Sequence, residues 1–141
     1  MIVREPKMRQ KPSLTEEDVA IILQACRTAA AAQKWAVSIA VVDEAGILWR
    51  LERLDGAPLP SARIAERKAY TAATARVPTK ALEDVLKDRP AFLAVQERLP
   101  LQGGLPILVG TDCVGGIGVS GVKSPEDEQV ALAGLRALLP A

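Results

Sequence analysis

The chain has 141 residues, of which 49% are hydrophobic and 25% charged, and its formal net charge is +1. This size and composition predict one ordinary globular domain, and the near-zero charge argues against nucleic acid or a membrane surface as a partner. The chain contains no histidine, which excludes catalytic sites of the Ser-His-Asp or Cys-His type, the usual zinc sites and haem held by histidine.

Hydrophobic periodicity predicts a flexible arm at residues 1–12, which are polar and contain two prolines, followed by a single domain at residues 13–141. We expect Ser13 or Thr15 to cap the first helix, Thr79 to cap a short third helix, and Ser124 to cap the last. The predicted order is α-ββ-α-α-ββ-α, an α+β fold in which two hairpins form an antiparallel sheet covered by helices. The predicted helices are 16–33, 61–75, 80–87 and 125–138, with a further helical turn or two at 91–98, and the predicted strands are 37–42, 47–54, 105–109 and 114–120.

The glycines Gly116, Gly118 and Gly121 spell G-x-G-x-x-G, the pattern of a dinucleotide-binding turn. That turn requires a strand before it, a helix after it and an acidic residue about 20 positions further on. Here the chain ends about 20 residues beyond Gly121, and Ile117 and Val119 are strand-forming residues. We therefore interpret the segment as a glycine-rich strand against which a ligand or another backbone packs closely.

The two cysteines, Cys26 and Cys113, are interpreted as reduced thiols. No signal peptide is recognisable at the start of the chain, so the expected location is the cytoplasm.

Several strings, in this order, resemble one known family. The resemblance is to the GlcG/HbpS-like family, a haem-degrading-domain family that also includes the carboxy-terminal domain of PduO proteins. The strings are residues 42–46 (VDEAG), 51–57 (LERLDGA), 65–72 (AERKAYTA), 103–107 (GGLPI), 114–121 (VGGIGVSG) and 127–131 (DEQVA).

The resemblance implies a profilin-like fold, a homo-oligomer and a small-molecule ligand. Some members of the family bind haem or a corrinoid-related ligand, so haem is the cofactor that the resemblance suggests. Because the chain lacks histidine, an iron ion would need another side chain as its ligand. Tyr70, Cys26, Cys113 and Met8 are the candidates, and the sequence does not select among them.

The residues themselves suggest one binding site for a small anion. Arg53 and Asp55 end the second predicted strand, and Lys68 lies on a helix that is otherwise rich in alanine. If that helix crosses the first hairpin, Lys68 approaches Asp55. Gly103 and Gly104 form a loop whose backbone N–H groups are suited to hold a carboxylate or phosphate beside the lysine.

Two functions follow from these observations, and a purely structural or regulatory subunit is a third class that the sequence leaves open. The first is a homo-oligomeric small-ligand-binding protein of the GlcG/HbpS-like type, related to tetrapyrrole binding. The second is a cofactor-independent enzyme that performs acid–base chemistry, of an isomerase, lyase or hydrolase type, on a small carboxylate or hydroxy acid. In the second case Lys68 binds the substrate carboxylate or acts as base, with Asp55 or Glu128 as its partner. We predict no metal site, because the acidic run at residues 126–128 is interpreted as the start of a helix.

Overall fold

The computed structural model describes residues 1–140 and has the order of elements expected from the sequence. Where residues 91–98 were expected to form a helical turn, a short 3-10 helix occupies Pro90–Ala94. The helices are α1 (Glu16–Gln33), α2 (Ser61–Ala75), α3 (Thr79–Val85) and α4 (Ser124–Leu138), and the strands are β1 (Ser38–Asp43), β2 (Leu48–Arg53), β3 (Gly104–Val109) and β4 (Asp112–Ser120).

The four strands form one antiparallel sheet in the order β2-β1-β4-β3. Each hairpin contributes one central and one edge strand, and the two hairpins join where Ala40 of β1 lies opposite Gly118 of β4. The α+β fold predicted from the sequence is confirmed.

Helices cover both faces of this sheet. On β1, Ile39 and Val41 join the core cluster that contains the buried residues of α1 and α4. Ala40 and Val42 point to the opposite face and contact the alanines of α2. Because both faces of β1 are buried, the strand is a continuous apolar run rather than an alternation of apolar and polar residues.

The G-x-G-x-x-G segment packs against α2. A Cβ atom added to Gly118 would overlap the carbonyl oxygen of Ala65 and the backbone nitrogen of Ala69, and one added to Gly116 would overlap the carbonyl oxygen of Ala69. Gly116 and Gly118 lie within β4, so no strand-to-helix turn exists between them. The motif brings the backbones of a helix and a strand together, as its strand-forming residues suggested.

The expected helix caps are correct for α1 only. Thr15 and Asp18 form a reciprocal capping box at its start. The Thr79 hydroxyl instead accepts a hydrogen bond from the backbone nitrogen of Gly104, since this threonine is buried against β3. Ser124 is already the first residue of α4 and does not cap it.

Residues 1–12 contain no helix or strand and are exposed. Arg9 forms an ion pair with Asp112 (2.9 Å), and Lys11 forms one with Glu44 (3.4 Å). Both pairs lie on the surface, where such interactions stabilise little. Within residues 1–140, every helix is too short or too polar to span a bilayer.

The contact between α2 and β4 gives a stability prediction. Gly118→Ala should lower the free energy of unfolding by about 1–3 kcal/mol, because the added methyl group forces the two backbones apart. Urea denaturation measures this change. Gly110→Asn is the control, because nothing lies within 4 Å of a Cβ at Gly110 and asparagine tolerates its positive φ. Equal stability of the Gly118 variant and the wild type would contradict the packing role.

Candidate functional site

Lys68 connects the two helical layers at one end of the sheet. It belongs to α2 on one face, and its Nζ donates hydrogen bonds to Oδ2 of Asp127 on α4 (3.0 Å) and to the carbonyl oxygen of Val119 on β4 (2.9 Å). The side chains of Lys68 and Asp127 are only 1% and 2% exposed. Oδ1 of Asp127 accepts the backbone N–H of Val122 (3.1 Å). The pair is therefore a hydrogen-bonded clamp between helices on opposite faces of the sheet, in which both carboxylate oxygens of Asp127 and two of the three N–H groups of Lys68 have partners.

Gly103 and Gly104 lie beside Lys68, as the sequence suggested, but they serve packing. A Cβ atom at Gly103 would lie 2.6 Å from Nζ of Lys68, and one at Gly104 would overlap the carbonyl oxygen of Lys68. The backbone nitrogen of Gly104 already donates to the hydroxyl of Thr79 (2.9 Å), and both glycines are buried. The idea that this loop offers free N–H groups to an anion is therefore wrong for Gly104.

Arg53 and Asp55 lie apart from this cluster. Both are exposed at the end of β2, whereas Gly104 begins β3 at the opposite edge of the sheet. Three strand spacings separate those edges, roughly 14 Å. The carboxylate that pairs with Lys68 is consequently Asp127 and not Asp55, because α2 lies mainly over β1 and β4 and directs Lys68 towards α4.

The sequence contained a signal for Asp127. Asp127, Val130, Ala131 and Gly134 are spaced as one face of a helix, and all four are buried. Our interpretation of the acidic run as a helix start overlooked that face. Glu128, the residue proposed as an acid–base partner, is half-buried, and its Oε2 is shielded from solvent without a hydrogen-bond partner in residues 1–140.

Burial dominates the electrostatics of the clamp. Desolvation lowers the pKa of Lys68 below its ordinary value and raises the pKa of Asp127, while the attraction between the two groups opposes both changes. Removing water from both charges thus costs more than their attraction returns. The pair is a structural element whose ammonium group is closed to a substrate.

A different cleft, of about 310 Å³, opens beside Tyr70 and is lined by Gly46, Glu66, Arg67, Tyr70 and Glu97. We call this the Tyr70 cleft. The Tyr70 ring packs on Gly46, whose φ of +80° and missing side chain leave room for it. The Tyr70 hydroxyl donates a hydrogen bond to Oε2 of Glu97 (2.9 Å).

Glu97 was not identified from the sequence. It has a left-handed backbone with φ of 68°, a conformation that costs energy for a residue other than glycine and is enriched at functional sites. Its carboxylate raises the pKa of Tyr70, first through the hydrogen bond and then through its charge. The cleft therefore holds a neutral phenol beside two carboxylates and one guanidinium group.

The remaining candidates for an iron ligand lie elsewhere. Cys26 is fully buried, and burial raises the pKa of its thiol to about 12. Cys113 is buried, and its Sγ lies 3.4 Å from the carbonyl oxygens of both Ala73 and Gly115, between which its single S–H is shared. Met8 is exposed on the amino-terminal segment. Within residues 1–140, no group of three or more Cys, Asp or Glu side chains is arranged to hold a metal ion.

The clamp predicts non-additive effects on stability. Asp127→Asn keeps the acceptor for Val122 but leaves the Lys68 ammonium buried without an opposite charge, so the free energy of unfolding should fall by about 3–5 kcal/mol. The Lys68→Met/Asp127→Asn double variant should lose clearly less than the sum of the single losses. Urea denaturation of Asp127→Asn, of Lys68→Met and of the double variant measures the three losses. Lys80→Met, which breaks an exposed ion pair with Asp84, is the control and should lose at most about 1 kcal/mol. If the loss in the double variant equalled the sum of the two single losses, the interaction between Lys68 and Asp127 would be contradicted.

The hydrogen bond in the Tyr70 cleft predicts a shift in titration. Because the Glu97 carboxylate stabilises the protonated phenol, Glu97→Gln should lower the pKa of Tyr70 towards its ordinary value. Ultraviolet absorption of the phenolate measures this directly, since the chain has a single tyrosine. Glu66→Gln removes the same charge from the cleft without touching that hydrogen bond, and should shift the titration less. An unchanged midpoint in Glu97→Gln would show that the two groups do not interact.

Comparison with known proteins identifies the family. The family model described as "Haem degrading protein HbpS-like" matches residues 14–136. Protein GlcG of Escherichia coli (strain K12) is 36% identical over 114 residues, which cover 80% of this chain and 85% of GlcG.

Solved structures agree with this assignment. A double mutant of Streptomyces reticuli HbpS superposes with a TM-score of 0.89 at 35% identity, covering 100% of this chain and 97% of that one. The complex of PduOC with haem superposes with a TM-score of 0.83 at 24% identity, covering 89% and 95%, and this likeness concerns the fold. With most of its length matched by the family model and by relatives above 30% identity, the chain belongs to the HbpS-like family.

Proposed function

We propose that this chain is a homo-oligomeric small-ligand-binding protein, and that its ligand is a tetrapyrrole bound at the Tyr70 cleft. One observation carries the proposal. Of the four side chains that the sequence offers as iron ligands, Cys26 and Cys113 are buried and Met8 is on an exposed segment outside the domain core. Tyr70 lies in a cleft, with its hydroxyl group at hydrogen-bonding distance from an exposed carboxylate.

Two residues of the cleft, Tyr70 and Arg67, match features of such a ligand. A tyrosine oxygen is one of the established protein ligands of haem iron. Haem, when bound, would supply a redox-active iron centre. Tyr70 would hold the iron through its phenol oxygen, and Glu97, which accepts the hydrogen bond of that phenol, would accept its proton and pass it to solvent. Arg67 at the cleft offers a guanidinium group that matches a propionate carboxylate.

The size of the cleft supports the oligomeric part of the proposal. A volume of about 310 Å³ is at the lower end of the range for small-molecule sites. A tetrapyrrole ring would therefore be held along one edge by a single chain and remain partly uncovered. A second copy of the protein beside the cleft would cover the remaining surface.

The enzymatic alternative has less support. It needs a lysine that reaches a substrate, whereas Lys68 is 1% exposed and bonded to Asp127. The proposed partner Asp55 is exposed at the far edge strand. The cytoplasmic location expected from the sequence stays a prediction.

Haemin titration followed by the Soret band tests the proposal. The wild type should give a saturable shift of defined stoichiometry. Tyr70→Phe should weaken binding at least tenfold, because it removes the oxygen ligand and keeps the ring that packs on Gly46. Met8→Leu is the matched control and should bind haemin like the wild type. The mass of the complex is measured on the same sample.

Two outcomes would overturn this function. The absence of a saturable Soret shift in the wild type would show that the ligand is not a tetrapyrrole. If Tyr70→Phe binds haemin with wild-type affinity, Tyr70 is not the side chain that binds the iron. If Met8→Leu then binds haemin weakly, the iron-binding side chain lies on the amino-terminal segment.

A further inference from the structure

The two edges of the sheet differ in their capacity to pair with another strand. Edge strand β3 carries Pro106 in its middle, which has no N–H to donate and blocks continuous pairing. Edge strand β2 contains no proline, and within residues 1–140 it pairs only with β1. The free edge of β2 is therefore the one that is open to an additional strand.

The backbone groups that β2 directs outwards can be identified. The N–H of Leu54 donates to the carbonyl oxygen of Val37, and Glu52 lies opposite Ile39. Because hydrogen-bonded and non-hydrogen-bonded pairs alternate in an antiparallel ladder, Arg50 and Glu52 direct their backbone groups to β1. Leu51 and Arg53 direct theirs away from the sheet.

The sequence of β2 is self-complementary. If two copies of β2 pair antiparallel about Leu51, residue 51 lies opposite itself and Arg50 of each copy lies opposite Glu52 of the other. Leu51 then forms a hydrogen-bonded pair with its counterpart, as its outward backbone groups require. The two Arg–Glu pairs are non-hydrogen-bonded pairs, in which the side chains approach most closely.

Charge selects this register over its neighbours. Sliding one copy of β2 along the other by a single residue would turn its side chains to the opposite face of the extended sheet. The nearest alternative registers are therefore shifted by two residues in either direction. One such shift places Arg50 opposite Arg50, and the other places Glu52 opposite Glu52. Like charges directly opposite each other destabilise a ladder, so only the register centred on Leu51 pairs unlike charges.

Exposed apolar side chains lie along the same edge. Ile47 is 64% exposed, Leu48 41% and Trp49 40%. Val41 lies opposite Arg50, but Val42 lies opposite Leu48. Trp49 is therefore the extra residue of a β-bulge in β2. In the register centred on Leu51, Trp49 comes next to Arg53 of the second copy, an arrangement suited to a cation–π contact.

From these observations we propose that β2 is the interface with a second copy of this chain, which joins the two sheets into one continuous antiparallel sheet of eight strands. The interface is isologous, because the same strand contributes from both copies. The inference rests on the homo-oligomer proposed above and adds the surface and the register of its contact.

Charge reversal tests the interface on the ligand-free full chain. Sedimentation analysis should show that Arg50→Glu raises the dissociation constant between copies at least tenfold, because it places Glu opposite Glu52 twice. The double variant Arg50→Glu/Glu52→Arg should restore much of the association, because it pairs unlike charges across the interface again, although it also breaks the ion pair between Glu52 and Arg27 on α1 (2.8 Å). Arg136→Glu makes the same charge change on α4, beside Pro106 and Leu108 at the β3 edge, and should associate like the wild type.

A cross-link tests the register. Leu51→Cys should give a disulfide-linked dimer with oxidised glutathione, because a hydrogen-bonded pair holds its Cα atoms about 5.5 Å apart, within disulfide range. Arg53→Cys should not cross-link, because position 53 lies opposite position 49. The native thiols of Cys26 and Cys113 are buried.

A monomeric wild type, or dissociation by Arg136→Glu but not by Arg50→Glu, would overturn the interface. Cross-linking through position 53 and not through position 51 would overturn the register. Both experiments are done without haem. A negative result would therefore concern the β2 interface alone and not the binding of haem at the Tyr70 cleft.

Discussion

The buried pair of Lys68 and Asp127 is the constraint on which the arrangement of the layers depends. It joins α2 on one face of the sheet to α4 on the other, around the end of the strands. A charge pair at 1% and 2% exposure is tolerable only when it is hydrogen-bonded, and the carbonyl oxygen of Val119, near the end of β4, supplies the second acceptor for Nζ. The loop before β3 also needs a glycine, because a Cβ atom at Gly103, whose φ is +130°, would lie 2.6 Å from that nitrogen.

Most of the fold could be predicted because its signals are local. The β-branched run of β1, the capping box at Thr15 and the acidic first turn of α4 each specify an element within a few residues. The strand-forming residues Ile117 and Val119, which lie between the glycines of the G-x-G-x-x-G string, also indicated a strand correctly. The predicted cap at Thr79 was wrong because the hydroxyl of this threonine accepts a hydrogen bond from Gly104 instead. The predicted cap at Ser124 was wrong because α4 begins one residue earlier than expected.

The site was less predictable because its contacts are long-range. Lys68 and its glycine neighbours could be grouped from the sequence, since one long charged side chain stood out on an alanine-rich helix. Its partner lies 59 residues away, and choosing Asp127 over Asp55 requires the strand order, which no local pattern contains. The Tyr70 cleft needs Gly46 and Glu97 from two separate loops, and a left-handed glutamate has no sequence signature.

The glycines of β4 have a further consequence through α2. The alanines of α2 pack directly on the glycine backbone of β4. Because neither residue type has side-chain rotamers that could adjust, the helix cannot shift on the strand without a steric clash. Tyr70 lies on the same helix, two residues from Lys68. The position of Tyr70 is thereby fixed by the fold itself, so a ligand bound at the proposed Tyr70 site would require little reorganisation of the protein. If the cleft binds a ligand as proposed, substitutions that alter its preference would lie on the solvent-facing residues and the neighbouring loops, because the inner face of the helix can change very little.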